Sequence, residues 1–283
     1  MTVIMFSGCS TIVQNLAIGE EKTMETGKTE QESVTEKDIN MNEKESFNAE
    51  SNINDVIHDS AFDNYGRLIF PVDMEIEDNL KLKDVSSILP WYSEVNNDKT
   101  VEIVNYMKNQ AMNGEQIFYP IYSEEEMQAD ADKKDTGLFF FRGNAGAKTT
   151  IINAGGGFVY VAGIHDSFPH ALELSKKGYN AFALIYRPGA QTACEDLARA
   201  IAFFHENAEK LQIDMTDYSL WGGSAGARMA AWLGSYGTAY FGEKEYPAPA
   251  AVIMQYTGLS QVTGMEPPTY ACVGTSDGIA SYR

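Results

Sequence analysis

Cysteine is scarce in this chain, with three in 283 residues, at Cys9, Cys194 and Cys272. Three thiols give no disulfide framework. Cys194 and Cys272 fall inside helical and strand patterns, where a free cysteine packs as a small hydrophobe. Positive charge is also short: 21 Lys and Arg stand against 40 Asp and Glu, for a net charge of −19. Nucleic-acid binding rests on cationic contacts to phosphates, so a nucleic-acid partner is excluded. There is no G-x-x-x-x-G-K-[ST] loop and no Cys/His cluster with metal spacing, so neither a metal nor an organic cofactor is expected. No apolar run is long enough for a transmembrane helix. Histidine is rare too: His58, His165, His170 and His205 are all there is, and none follows residue 205.

The start of the chain has a character of its own. "VIMFSGCS" is an apolar run, small residues and then Cys9, which resembles the end of a bacterial lipoprotein signal with its lipidated cysteine. Phe6 stands where an aliphatic residue is usual, and the basic and long apolar parts of such a signal do not precede it. The resemblance implies a residual signal over 1–9, a possible membrane tether through Cys9, and a place on the extracellular face of the cell membrane or, failing lipidation, secretion. The alternative is an incidental cysteine in a floppy N-terminus. Residues 10–60 are rich in Glu, Lys, Thr and Asn with few large apolar residues. Such a stretch cannot bury enough surface to offset its ordering entropy and is expected to be a disordered acidic linker, the alternative being a solvated helix. The folded domain is expected over 61–283.

From about Asn64 the pattern alternates strands with helices, which signals an α/β domain with a mostly parallel sheet covered on both faces. "RLIFP", "QIFYPIY", "GLFFFRG", "TTIINAG", "NAFALIYR", "DYSLWGG", "AAVIMQYT" and "TYACVG" read as strands, the early ones as an antiparallel edge. Several are continuous apolar runs, as strands buried on both faces require. Ser167 reads as the cap of one helix, with Pro169 in its first turn and Gly178 past its end. Thr192 and Glu195 have capping-box spacing at the start of another. The apolar face of that second helix is Cys194, Leu197, Ala198, Ile201, Phe204, Ala208 and Leu211.

Chemistry concentrates in "DYSLWGGSAGARMAAWLGSYG", which reads strand, sharp turn, helix, with G-x-S-x-G over 222–226 at the turn. A nucleophilic serine on such an elbow needs small neighbours so that helix and strand can approach. Ala225, Gly226, Ala227, Ala230 and Ala231 supply them; the bland alternative is a packing seam around a buried serine. Upstream, "TTIINAGGGF" runs a strand into Gly155-Gly156-Gly157-Phe158, a backbone whose N–H groups no side chain blocks. A dinucleotide loop is disfavoured because Tyr160 occupies the third glycine position of G-x-G-x-x-G. A plain connecting turn is the other reading.

Together these residues resemble the α/β-hydrolase fold over most of Phe70 to the end, and "DLARAIAFFHENAEKLQID" followed by "YSLWGGSAGARMAA" is similar to bacterial esterases of the acetyl-xylan and feruloyl-esterase-like group. The resemblance implies Ser224 as nucleophile and an oxyanion hole from the N–H groups of Gly156, Gly157 and Ala225. Ala154 stands where the family's H-G-G-G loop has histidine. It implies Asp277, in the "GTSDG" turn after "TYACVG", as the carboxylate that orients a histidine. That histidine is expected after one further strand, beyond residue 283, so the last strand and helix of the domain are expected to be missing and this chain to be inactive. His58 and His205 are expected in solvent. His165 and His170 flank the Gly-rich loop, where one could line the pocket or act as base.

The implied activity is hydrolysis of carboxylic esters, short acyl groups on carbohydrates above all, through an acyl-enzyme. Phe158, Tyr160, His165 and Tyr256 are the candidate substrate contacts, with Phe168 nearby, each with an alternative as an ordinary core aromatic. Rival readings are a serine peptidase or lipase on the same fold, and a non-catalytic surface binding protein or gene fragment.

Overall fold

The computed structural model describes residues 46–280 apart from 93, 258 and 260; the expected Cys9 lipidation signal and most of the expected linker lie outside the described residues. The expected linker gives way at Ser46, where a compact unit begins that runs to the end of the chain. Helix α1, Ile53–Ile57, is capped by the Asn52 side chain, which accepts from the Asn54 amide, and buries Ile53 and Val56. Those two side chains explain why the unit begins well before residue 61: apolar residues that can be buried outweigh the polar composition around them.

Five further runs settle as helices or strands before the first crossover. Helix α2 is Asn97–Met112, strand β1 Phe118–Pro120, helix α3 Glu124–Ala129, and strands β2 and β3 are Gly137–Phe141 and Lys148–Asn153. Helix α4 is Ser167–Lys176, β4 Asn180–Ile185, α5 Ala190–Leu211, β5 Asp214–Gly223, α6 Ala225–Tyr236, β6 Ala251–Gln255 and β7 Thr269–Cys272. The seven strands form one sheet in the order β1-β2-β4-β3-β5-β6-β7. β2 runs antiparallel to both of its neighbours, while β4, β3, β5, β6 and β7 are parallel. This is the order and direction of the α/β-hydrolase fold, with the antiparallel edge where the sequence suggested it.

That order places the site. From β3 the chain crosses through α4 to β4 on one side; from β4 it crosses back through α5 to β5 on the other. Right-handed crossovers in opposite directions put α4 on one face and α5 and α6 on the other. β3 and β5 are therefore neighbours whose following loops part, and the crevice between their C-terminal ends is where such sheets bind ligands. β2 and β4 are buried along their whole length, and aromatic stacking of Phe140 on Phe182, centroids 4.0 Å apart, locks their pairing.

Three expectations need correction. "RLIFP" is not a strand: Gly66–Ile69 is a 3-10 turn. The Arg67 guanidinium donates to the carbonyls of Phe70, Pro71 and Met74, at 3.3, 2.9 and 2.7 Å, which folds the chain back on itself. "TYACVG" holds a strand, β7, but every residue of it is exposed, Cys272 included, because it is the edge of the described sheet with one neighbour only. Both expected side-chain caps fail as well. α4 begins after Asp166, with Ser167 already inside it, and α5 begins after Gly189, ahead of Thr192. The expected apolar face of α5 is confirmed at Cys194, Leu197, Ala198, Ile201, Phe204 and Leu211, all buried.

One buried ion pair ties β4, α5 and the β1–β2 connection together. Asp196, fully buried on α5, accepts from the Arg187 backbone amide at 2.7 Å, from its Nη2 at 2.7 Å and from the Tyr122 hydroxyl at 2.5 Å. Arg187 also reaches Asp130 at 2.9 Å. Removing one partner strands the other charge in the interior, which typically costs about 3–5 kcal/mol. Asp196→Ala is expected to lower the urea unfolding free energy by about that amount, and a loss under about 1 kcal/mol would show that water satisfies Arg187 instead.

Candidate active site

Ser224 sits between β5 and α6 with φ 50° and ψ −112°, outside the regions a non-glycine residue prefers. Such strain persists only where the surroundings impose it, and here the neighbours do. A β-carbon on Gly222 would stand 2.2 Å from the Gly226 carbonyl carbon, and one on Gly226 would stand 2.0 Å from the Asn153 oxygen. Both outer glycines of the motif are therefore fixed by helix α6 lying against its own strand and against β3. The Ser224 amide donates to Gln255 at 3.0 Å, which holds the bend to the end of β6.

The Gly-rich loop after β3 faces this elbow. A β-carbon on Gly155 would be 2.6 Å from the Tyr92 hydroxyl and 3.2 Å from Ser224 Cβ. Gly156, with φ 148°, leaves no room either, since the Tyr160 carbonyl oxygen would be 1.8 Å away. The Gly155 amide donates to Asp166 Oδ2 at 2.6 Å. Among the described residues the amides of Gly156, Gly157 and Ala225 have no hydrogen-bond acceptor. Gly156, Gly157 and Ser224 open on one cleft of about 990 Å³, and Asp277 opens on it too. The structure thus brings the candidate nucleophile, two of its three candidate oxyanion donors and the candidate acid to a single cavity. Ala225 is buried beside it at the start of α6.

Asp277 lies in the turn after β7. Its Oδ1 accepts from the amides of Ile279 and Ala280, both at 2.8 Å, and those two bonds hold its carboxyl below the usual carboxylate range. Oδ2 has no partner among the described residues and is available to an imidazole.

The histidines divide. His165 lines the cleft, but its Nε2 is engaged with the Val85 carbonyl at 3.0 Å, and burial lowers its pKa to about 4. It is neutral at pH 7, with Nδ1 buried and unpartnered. His170 also lines the cleft, on α4 with its ring 6.5 Å from that of Trp221. Neither is hydrogen-bonded to Ser224 or Asp277. His58 is exposed as expected. His205 is not: it stacks on Tyr246, ring centroids 5.0 Å apart, and burial lowers its pKa.

Of the candidate substrate contacts, Tyr160, His165 and Tyr256 line the cleft. Phe158 does not: it stacks on Trp232 of α6, 6.1 Å between centroids at 11°. Phe168 is fully buried against Phe139 and Phe141. The sequence reading missed Trp91, Tyr92, Glu94 and Val95, which come from an irregular segment before α2 and wall the same cleft. Trp91 is 56% exposed, and its indole donates to the Tyr160 hydroxyl at 2.6 Å. Their signal was the aromatic pair in "LPWYSEV", which has no period to place it. Asp166 was missed as well. Among the described residues no His/Cys/Asp/Glu group could hold a metal, and no helix is long and apolar enough to cross a membrane.

A family model described as BD-FAE matches residues 142–279, a span that holds the Gly-rich loop, Ser224 and Asp277. No curated protein matches this chain. Among solved structures it is similar to esterase B from Lactobacillus rhamnosis in a phosphonate-inhibited form. That likeness has 18% identity over 50% of this chain and 48% of the other, with a TM-score of 0.42. It is also similar to Thermogutta terrifontis esterase 2 phosphonylated by cyclosarin, at 16% identity over 60% of this chain and 76% of the other, TM-score 0.47. The chain spans about half the length of the Lactobacillus enzyme. By its strand order and its elbow the described domain has the α/β-hydrolase fold, and over 142–279 the chain is similar to the BD-FAE family.

Proposed function

We propose that this protein is a serine hydrolase of carboxylic esters that works through an acyl-enzyme. The observation that carries the reading is the strained Ser224, held at a strand–helix elbow in the same cleft as two unpaired glycine amides and Asp277. In the first step Ser224 Oγ attacks the ester carbonyl while a base takes its proton. The tetrahedral oxyanion is met by the N–H groups of Gly156, Gly157 and Ala225, and the alcohol leaves with the proton. Water then attacks the acyl-serine by the reverse roles and releases the acid. The base in this proposal is a histidine whose ring is held by the free Oδ2 of Asp277. His165 is a poor candidate because burial and the Val85 carbonyl already fix it.

Short acyl groups on carbohydrates are the proposed substrates, which the exposed Trp91–Tyr160 pair at the cleft supports as a stacking surface. The similarity to BD-FAE and to esterases is in keeping with ester hydrolysis. A serine peptidase or lipase would use the same machinery, whereas a binding protein would have none of the turnover. In the cell the proposed place is the outer face of the membrane, tethered through a lipid on Cys9, or the medium.

The full gene product is expected to hydrolyse p-nitrophenyl acetate, and Ser224→Ala to lower kcat by about 10⁶-fold, as for loss of the nucleophile in a triad. Equal rates in the two would remove Ser224 from the mechanism; no hydrolysis of any acyl ester by the wild type would favour a binding role. Asp277→Asn is expected to cost about 10⁴-fold in kcat. Because its backbone bonds keep Asp277 ionised through the neutral range, the acid limb of the wild-type pH profile should titrate as an imidazole. A limb in the carboxylate range would contradict the assignment. Metabolic labelling with palmitate in a bacterial host should tag the full gene product and not its Cys9→Ala form, and an unlabelled wild type would reject the tether.

A further inference from the structure

Asp166 immediately precedes helix α4, where an aspartate ordinarily turns its carboxylate onto the first amides of its helix. It makes no such bond. The carboxyl group is directed away and buried, and its Oδ2 accepts from the Gly155 amide at 2.6 Å. The hydroxyl of Tyr92 stands beside the same loop, where a β-carbon on Gly155 would be 2.6 Å from it.

The packing shows how tightly these groups are built into the elbow. A β-carbon on Gly223 would stand 2.0 Å from the Tyr256 hydroxyl and 2.7 Å from Asp166 Oδ2. The middle glycine before Ser224 is thereby explained: it makes room for these polar groups, not for the helix. Tyr256 itself has φ 37°, a conformation that bulky residues avoid, and its amide donates to the Cys272 carbonyl at 2.8 Å. An unneeded buried carboxylate would be costly, and this one occupies the amide of Gly155 while leaving those of Gly156 and Gly157 without acceptors.

We propose that Asp166 is a positioning residue for ester hydrolysis: by gripping the Gly155 N–H it aims the next two amides at the site of the oxyanion. The inference rests on the serine-esterase reading for its catalytic consequence, and its structural half stands without it.

Two substitutions of similar volume separate positioning from packing. Asp166→Asn retains an oxygen for the Gly155 amide. Asp166→Leu fills the space and grips nothing. With the full gene product and p-nitrophenyl acetate, Asp166→Leu should lower kcat on the order of 100-fold with KM unchanged, the cost of a displaced catalytic group, and Asp166→Asn should recover most of it. In hydrogen exchange, the amides of 155–157 should exchange faster in Asp166→Leu than in the wild type, with β4 and β5 still protected. A folded Asp166→Leu protein with wild-type kcat, or with unchanged exchange at 155–157, would overturn the proposal. If that variant does not fold, Asp166→Ala decides: faster exchange at 155–157 supports the proposal and unchanged exchange overturns it. Ser224→Ala, measured beside them, reports on the esterase reading alone, and the exchange comparison needs no turnover.

Discussion

The structure depends on how close α6 comes to β3. Backbone touches backbone there, with the Gly226 α-carbon near enough to the Asn153 carbonyl that even one methyl group would collide. This approach bends the chain sharply after β5, and the bend forces Ser224 into a conformation its side chain would not choose. It also brings the end of β5 level with the end of β3, where Asn153 pairs in register with Gly222 and its side-chain amide donates to the Trp221 carbonyl at 2.9 Å. The Gly-rich loop begins one residue later. A serine and a row of backbone donors thus meet because two strands end side by side and one helix packs without side chains between.

Around that contact, polar groups are buried where they have work to do. Asp196 and Arg187 fasten α5 to the end of β4 on the far side of β3 from the elbow, and Asp166 fastens the loop after β3. Each accepts from a backbone amide, and so fixes a main-chain position that apolar packing alone would leave soft. Hydrophobic burial is not directional; these bonds are. The core supplies the favourable free energy, through rings such as Phe139, Phe141, Phe168 and Phe204, while the two buried aspartates determine where the loops end.

Much of this was legible in the sequence because it is carried by local pattern. The apolar runs that became β2 through β6, and the spacing of small residues around Ser224, depend on neighbours a few positions away. The apolar face of α5 followed from the same kind of spacing. What could not be read depends on distant partners. "RLIFP" has the composition of a strand, and only the reach of Arg67 to three carbonyls further along turns it into a 3-10 bend. The apolar content of β7 said nothing about whether a neighbour would cover it. Asp166 looks like an ordinary residue at a helix start, and its true partner lies eleven residues back in another loop. Trp91 and Tyr92 come from a segment with no period at all, so nothing local could assign them to the cleft.

The electrostatics of the cleft sharpen the role of its amides. Glu94, Asp166 and Asp277 line it, no lysine or arginine does among the described residues, and the whole chain carries −19. A developing oxyanion would therefore form in a field that opposes it, with no cation nearby to offset the repulsion. Burial favours the neutral acid at Asp166, which lessens the repulsion there. The remainder must come from donors at hydrogen-bond distance, whose dipoles act over a short range and lose their effect when turned away. In a site with a positive side chain, a loosely placed amide could be tolerated. Here it could not, and on the role proposed for Asp166 its buried carboxyl group holds the loop through the Gly155 amide.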